Sequence, residues 1–389
     1  MANVRYRSRL LEVRPLLRQR SLFLFGPRQT GKSALIAHTF DDGAAPVYSL
    51  LDSDTYLRLS RRPATLREEV PTSAELVVID EIQKLPELLD EVHLLIEQRG
   101  TRFLLTGSSA RKLRRGGVNL LGGRARSRAL HPFVAAELGA DFDLMRALNV
   151  GLLPPIYLSD SPREDLKAYV GDYLTQEVAA EGLTRNVPAF SRFLEVAAAC
   201  HGQLINYAAV ASDAQVPRST VQEYFGILRD TLLGFDLPAW THSVKRKPLS
   251  TAKFYLFDVG VAAYLQRRGR VRPRSASFGP AFESFVFQEL RAWLDYRTVD
   301  AELHYWRSKS GFEVDFILDD RIAIEIKAKQ TVGDRDLRGL RALRDEGLLD
   351  RYLVVSLEAR ARRQDGIEVL PWREFLEQLW ADAFRGGCG

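Results

Sequence analysis

The feature that most constrains this chain is the stretch Phe23-Leu24-Phe25-Gly26-Pro27-Arg28-Gln29-Thr30-Gly31-Lys32-Ser33. An apolar run over residues 21–25 stops at a glycine, the spacing G-x-x-x-x-G-K-S follows, and Ala34-Leu35-Ile36-Ala37 resumes with helical character. Strand, glycine-rich loop and helix in that order predict a phosphate-binding loop. Gly26 and Gly31 carry no Cβ, so the backbone between them can wrap close to phosphate oxygens. The turn holding Pro27, Arg28, Gln29 and Thr30 aims its N–H groups, and the positive end of the helix, at an anion. Lys32 is placed to neutralise β/γ-phosphates and Ser33 to offer a hydroxyl to Mg2+. These residues predict a nucleoside triphosphate site.

A sheet around that loop is legible downstream. Residues 46–51 read as a second strand, and Glu75-Leu76-Val77-Val78-Ile79-Asp80-Glu81 gives an apolar run fit for a strand covered on both faces. It ends in two carboxylates: Asp80 expected to hold Mg2+, Glu81 to polarise the attacking water. A further strand, Arg102-Phe103-Leu104-Leu105-Thr106-Gly107-Ser108, ends in hydroxyls. Thr106 and Ser108 are both candidates to reach the γ-phosphate or the water, and the sequence does not choose between them. The order predicts a right-handed α/β sheet with helices on both sides.

Charge is uneven along the chain. With 389 residues, 46% hydrophobic and 27% charged, it reads as a globular protein of two or three domains. No apolar run is long enough to span a bilayer, and the arginine-rich first twenty residues lack a signal-peptide core. Cys200 and Cys388 suggest neither a disulfide framework nor zinc. A cytoplasmic protein without a membrane partner is expected. Residues 111–128 carry seven Lys/Arg and no acid, and residues 240–274 carry nine against Asp258 alone. Both blocks suggest a polyanionic partner, with a solvated face or a subunit contact as the plain alternative. In the first block Arg124, and after it Arg126, is the candidate to reach a neighbouring subunit's nucleotide; a phosphate-backbone contact or simple solvation fits either equally. Residues 131–186 have helical spacing and are expected to form a lid over the nucleotide.

The combination Gly26…Gly31-Lys32-Ser33, Asp80-Glu81-Ile82-Gln83, the string from Leu105 through Thr106-Gly107-Ser108-Ser109-Ala110-Arg111-Lys112-Leu113, and Leu121-Gly122-Gly123-Arg124-Ala125 resembles the bacterial and archaeal AAA-type ATPases whose C-terminal half is a domain of unknown function. The resemblance implies ATP as the nucleotide and a homo-oligomer such as a ring, but no settled activity.

The middle of the chain has its own pattern. A helix near residues 190–200, a short helix capped by Asn206, and a third starting after Pro217 precede two β-like pieces, with Lys245-Arg246-Lys247-Pro248 between them. That outlines a winged helix. Arg218, beside Ser219 and Gln222, would face bases or phosphates, while Lys245, Arg246 and Lys247 would contact phosphates at a hairpin tip. Dimerisation is the other use of such a fold.

In the last third, an aromatic-rich helix carries Glu283 and Glu289; the strands around Glu313, Asp315, Glu325 and Lys327 follow, then a helix and an apolar strand. Alternation puts Glu325 and Lys327 on one face of their strand and Glu313 and Asp315 on one face of theirs, and with the right register Asp315, Glu325 and Lys327 converge. This order is similar to the restriction-endonuclease-like, PD-(D/E)xK fold. The resemblance implies a second Mg2+ on Asp315 and Glu325, Lys327 stabilising developing charge, and Glu283 completing the shell. Gly-Phe-Glu-Val-Asp stands where that family has Pro-Asp, and a hairpin with ordinary cross-strand ion pairs is the structural alternative. Glu289, next to buried surface, calls for a cation or metal partner.

The expected organisation is therefore an AAA-type α/β P-loop core (1–130), a helical lid (131–186), a winged-helix domain (187–266) and an α/β restriction-endonuclease-like domain (267–389). Three functions fit it: an ATP-driven protein that remodels or translocates on DNA, branched DNA included; an ATP-gated Mg2+-dependent nuclease; or a nucleotide-switched scaffold or signalling ATPase without DNA. All three need the phosphate loop, so Lys32→Ala should abolish ATP hydrolysis, read as phosphate release.

Overall fold

A computed structural model describes residues 6–43, 45–109, 111, 113, 121–174 and 186–385. Lys112, Arg114 and Arg115 of the first basic block, Ala110 of the resemblance string, and Cys388 lie outside the described residues. The chain forms two compact units: residues 1–133 with 230–233, and residues 134–229 with 234–389.

The first unit is built on five parallel strands, β1 (Ser21–Phe25), β2 (Val47–Ser49), β3 (Leu76–Asp80), β4 (Arg102–Gly107) and β5 (Ala125–Ala129). Their spatial order is β2-β3-β4-β1-β5. Strand β1 is therefore flanked by β4 and β5, in register Leu24 with Thr106 and Leu24 with Arg128. All five residues of β1 are buried, as expected of a central strand covered on both faces. Phe23, Phe25, Val77, Ile79, Phe103 and Leu105 join Leu88, Leu89, Val92 and Leu95 of the helix Leu88–Arg99 in one apolar core. Because β4 separates β1 from β3, the tip of β4 stands between the phosphate loop and the carboxylates.

Residues 134–174 hold short helical pieces, Ala135–Leu138, Leu144–Val150, Pro154–Tyr157, Pro162–Ala168 and a π-helical turn, Tyr169–Leu174; residues 175–185 of the expected lid lie outside the described residues. Gly139 and Gly151, with φ of 54° and 81°, stop two of them, and Pro154 and Pro162 start two others. Together with the segments expected as the middle domain, apart from residues 230–233, and the C-terminal domain, they belong to the second unit. Asp258 is one of the joints. Fully buried, it accepts N–H bonds from Leu152 at 2.7 Å, Gly260 at 2.9 Å and Val261 at 3.0 Å, so it caps its own helix and holds the Gly151 turn against it.

Helices Val187–Ala199, Tyr207–Ala214 and Arg218–Asp230 follow, together with a small antiparallel sheet ordered β6-β8-β7, where β6 is Gln203–Leu204, β7 Gly234–Leu237 and β8 Lys253–Leu256. Asn206 caps the second helix, as its position suggested, accepting from Ala208 and Ala209 N–H at 3.1 Å. Phe190, Phe193, Tyr224, Phe225 and Phe254 stack edge-on or tilted between the helices and β8.

The last layer is a six-stranded sheet ordered β13-β14-β12-β11-β10-β9. Its strands are β9 (Leu303–Arg307), β10 (Glu313–Leu318), β11 (Ile322–Lys327), β12 (Arg351–Ser356), β13 (Arg362–Gln364) and β14 (Ile367–Pro371). Strands β9, β10 and β11 run antiparallel, while β11, β12 and β14 are mutually parallel. The 19-residue helix Phe278–Tyr296 is buried along most of its length. His201 links it to the small sheet: its Nδ1 accepts from the Leu256 N–H at 3.0 Å, which leaves Nε2 to donate to Ser284 Oγ at 2.7 Å. Burial pushes this imidazole down to about 3, so it stays neutral.

Asp258→Ala leaves three buried N–H groups without an acceptor, and it should lower unfolding free energy by roughly 3 kcal/mol in urea titrations.

Candidate functional site

The loop after β1 has the backbone its glycines predicted. Gly31 has φ of 95° and Gln29 φ of 62°, so the chain turns through left-handed conformations before entering the helix Lys32–Thr39. A Cβ on Gly26 would come to 2.5 Å from the Leu130 carbonyl oxygen and 3.1 Å from Thr30 Oγ1, so only glycine fits. Thr30 Oγ1 donates to the Pro27 carbonyl at 2.8 Å. Lys32 Nζ donates to the carbonyls of Gly26 at 2.7 Å and Pro27 at 3.1 Å, which keeps the buried ammonium at the mouth of its own loop. Arg28 is half-buried and Gln29 exposed.

Three strands then converge on the carboxylates. Ser33 Oγ donates to Asp80 Oδ2 at 3.0 Å, and Thr106 Oγ1 donates to Asp80 Oδ1. The Glu81 N–H in turn donates to Thr106 Oγ1 at 3.3 Å. Glu81 has φ of 64°, an unusual left-handed conformation for a non-glycine residue, and it turns the side chain out of the strand line. Gln83 Nε2 donates to Glu81 Oε2 and, at 3.2 Å, to Ser108 Oγ. Thr106 and Ser108, left as alternatives by the sequence, therefore occupy different places: Thr106 bonds Asp80 directly, whereas Ser108 reaches Glu81 only through Gln83.

Sequence reasoning missed two members of this site. Gln83 was quoted in the family string but given no role; an amide two residues after the carboxylate was the available signal. Arg9 had none. Its guanidinium donates to the Thr30 carbonyl at 2.6 Å, His131 at 2.7 Å and Pro132 at 3.2 Å, which ties the phosphate loop to the segment beyond β5. Arg124 is ion-paired with Glu97 and holds that carboxyl below its usual range. Arg126 is exposed on β5.

In the second unit the expected DNA-facing residues divide. Arg218, Ser219 and Gln222 are exposed at the start of their helix. The basic tip is not a free hairpin. The connection from β7 to β8 runs along β9, with Trp240 N–H donating to the Tyr305 carbonyl at 2.6 Å and Leu249 N–H to Arg307 at 2.8 Å. Arg246 pairs with Asp345 at 3.2 Å and Glu346 at 3.3 Å, and Lys245 Nζ donates to the Asp345 carbonyl. Two of the three tip cations are thus already spoken for by the acidic end of the helix Arg338–Arg344; Lys247 remains exposed.

Glu283, Asp315, Glu325 and Lys327 do come together. The register placing Phe316 opposite Ile324 sets Asp315 beside β11, where its Oδ2 accepts the Ile326 N–H at 2.7 Å. Lys327 Nζ donates to Glu325 Oε1. Tyr255 donates its hydroxyl to Glu283 at 2.5 Å. A residue the sequence did not single out completes the group: Lys253, at the start of β8, pairs with Glu313 at 2.7 Å and Glu283 at 3.5 Å. A lone cation opening the apolar strand Lys253-Phe254-Tyr255-Leu256 was its signal. Burial, then the neighbouring Asp315 charge, pushes Glu283 up to about 7 and Glu325 well above the ordinary carboxylate range; burial also raises Asp315. The carboxylates in turn raise Lys253 and Lys327, against the opposing effect of burial. Glu289 lies elsewhere. The cation or metal expected for it is replaced by two N–H donors, Ala135 at 2.7 Å and the Trp380 indole at 2.8 Å.

Comparison with known proteins fits the first unit. Residues 18–139 match the family described as AAA domain, residues 141–272 a domain of unknown function, DUF8612, and residues 278–375 another, DUF4143. The parallel sheet, the phosphate loop and the first of these matches define a P-loop fold with an AAA-type ATPase domain. Uncharacterized proteins of Mycobacterium bovis and Mycobacterium tuberculosis are each 27% identical over 386 residues, covering 93% of this chain and 82% of the relative. A signal transduction ATPase with numerous domains and a tetratricopeptide repeat sensor, from Pyrococcus horikoshii, aligns at 13% identity and a TM-score of 0.24. That alignment covers 75% of this chain and 48% of the other, so this chain spans about half of it. No helix among the described residues is long and apolar enough to cross a membrane.

The raised carboxyls have a consequence for stability. In the unfolded chain Glu283 titrates near 4.5, in the folded one near 7. Across that window the native state binds more protons, so unfolding free energy should fall as pH rises, by up to roughly 1.4 kcal/mol per pH unit for each such group. Denaturant titrations over the window should show this slope, and Glu283→Gln should make it shallower.

Proposed function

We propose that this chain hydrolyses ATP at the loop between β1 and its helix and uses the cycle to change its hold on DNA. The observation that carries the hydrolytic reading is Asp80, whose two oxygens are held by Ser33 and Thr106 from neighbouring parts of the sheet. Ser33 and Asp80 are the residues that would hold Mg2+, which supplies charge neutralisation at the phosphates. Their fit is chemical: a hydroxyl and a carboxylate oxygen, both hard donors, lie 3.0 Å apart, and the Lys32 ammonium bonds the carbonyls of Gly26 and Pro27 in the same loop. The N–H groups of residues 28–33 and the Lys32 ammonium bind the phosphates, Lys32 exchanging its two carbonyl acceptors for them. Glu81, oriented by Gln83, orients the attacking water. Arg124 is the first candidate to act on a neighbouring subunit's nucleotide in a homo-oligomer such as a ring, after leaving Glu97; Arg126 is the second.

DNA is the partner that the middle segment supports best. Three helices and a three-stranded antiparallel sheet in this order suit a winged helix, and the third helix offers Arg218, Ser219 and Gln222 to solvent. Lys247 adds a phosphate contact; Lys245 and Arg246 would have to leave Asp345 and Glu346 to do the same. That pairing favours the second reading, a nucleotide-switched scaffold whose partner is a protein. The third, a gated nuclease, depends on the carboxylate cluster of the second unit.

ATP turnover measured with duplex, single-stranded and four-way-junction DNA separates the first two readings. Stimulation by any of them, weakened by salt and by Arg218→Ala, supports DNA; an unchanged rate in all three overturns it in favour of the scaffold.

A further inference from the structure

The PD-(D/E)xK resemblance implies a divalent metal on Asp315 and Glu325 with Glu283 beside them, and the side chains of this chain do not fit one. Asp315 Oδ2 is committed to the Ile326 N–H, Glu325 Oε1 to Lys327, and Glu283 Oε1 to the Tyr255 hydroxyl and Lys253. Among the described residues no group of three or more His, Cys, Asp or Glu side chains is arranged to hold a metal ion. One oxygen, Glu325 Oε2, is buried without a partner. Mg2+ or Ca2+ would have to compete for hard oxygen ligands, and one oxygen of each of Asp315, Glu325 and Glu283 is already held by a donor of the protein.

A cation is nonetheless present. The Lys253 side chain is 5% exposed, and its ammonium lies 2.7 Å from Glu313, 3.5 Å from Glu283 and 5.3 Å from the centre of the Tyr305 ring. Lys327 meets Glu325 from the other side, and Arg307 approaches Glu313 at 3.6 Å. Four carboxyl groups thus face three cationic side chains, all delivered by the fold. Removing water from a carboxylate cluster is costly unless positive charge is supplied, and here the protein supplies it. A divalent ion entering the cluster would meet an ammonium already held between Glu313 and Glu283.

We propose that Lys253 is the resident cation of this cluster and excludes a divalent metal from it, so that the nuclease-like sheet works as a metal-independent module. Tyr255, two residues along β8 and therefore on the same face, holds Glu283 in the position where Lys253 meets it. The lysine comes from the small sheet and the carboxylates from the helix Phe278–Tyr296 and the large sheet, so the pairing also fixes how these parts of the second unit sit together.

Mn2+ alone, without nucleotide, is the probe, in the full chain carrying Asp80→Asn to silence the phosphate-loop site. With Lys253 present, titration calorimetry and electron paramagnetic resonance should detect no bound Mn2+ up to about 1 mM. Lys253→Met in the same background should bind one Mn2+ at least about tenfold more tightly, and Asp315→Asn should remove that binding again. If Lys253→Met does not fold, Lys253→Gln, which keeps a polar group of similar reach, takes its place. Binding of one Mn2+ by the chain with Lys253 intact, lost on Asp315→Asn, would overturn the proposal, as would a folded Lys253 variant that gains none.

Discussion

Everything in the first unit depends on Asp80 being gripped from two sides. The carboxylate closes β3, but its partners come from the loop after β1 and the end of β4, and they meet only because β4 lies between those strands. The parallel arrangement points all three carboxyl ends the same way, which is where open α/β sheets place their ligands. A change in strand order would leave the phosphate loop and the carboxylates with the same sequences and no common site.

The second unit handles charge differently. The carboxylates of the nucleotide site accept from the Ser33 and Thr106 hydroxyls and the Gln83 amide, with an exposed Ser33 at the edge. Those of the large sheet are buried, pushed towards protonation, and matched by lysines from two separate strands. Asp258 and Glu289, also fully buried, rest on backbone and indole N–H groups instead. Asp258 and Glu289 are thus satisfied by donors fixed in the fold, Glu325 keeps one buried oxygen without a partner, and Asp80 of the phosphate-loop site bonds the exposed Ser33.

The basic blocks teach a related lesson. A run of positive charge in a sequence says how many cations there are, not how many lack partners. Lys245 and Arg246 look like a wing tip in one dimension, yet the chain reversal at residues 345–346 brings two carboxylates beneath them. Lys247, one residue on, escapes because its side chain faces outward while its carbonyl takes the Lys309 N–H.

What the sequence determined by itself was whatever depends on neighbours along the chain. The glycine spacing set the loop, the apolar runs set β1, β3 and β4, Asn206 set a helix start, and strand alternation placed Glu325 with Lys327. Tertiary structure alone decided the long-range partners: Arg9 on the loop at Thr30, Thr106 rather than Ser108 on Asp80, and Lys253 among the carboxylates. The reason is geometric. Local pattern follows from backbone periods of two and 3.6 residues, whereas a contact such as Lys253 with Glu313, sixty residues apart, exists only once the strands between them have chosen their order.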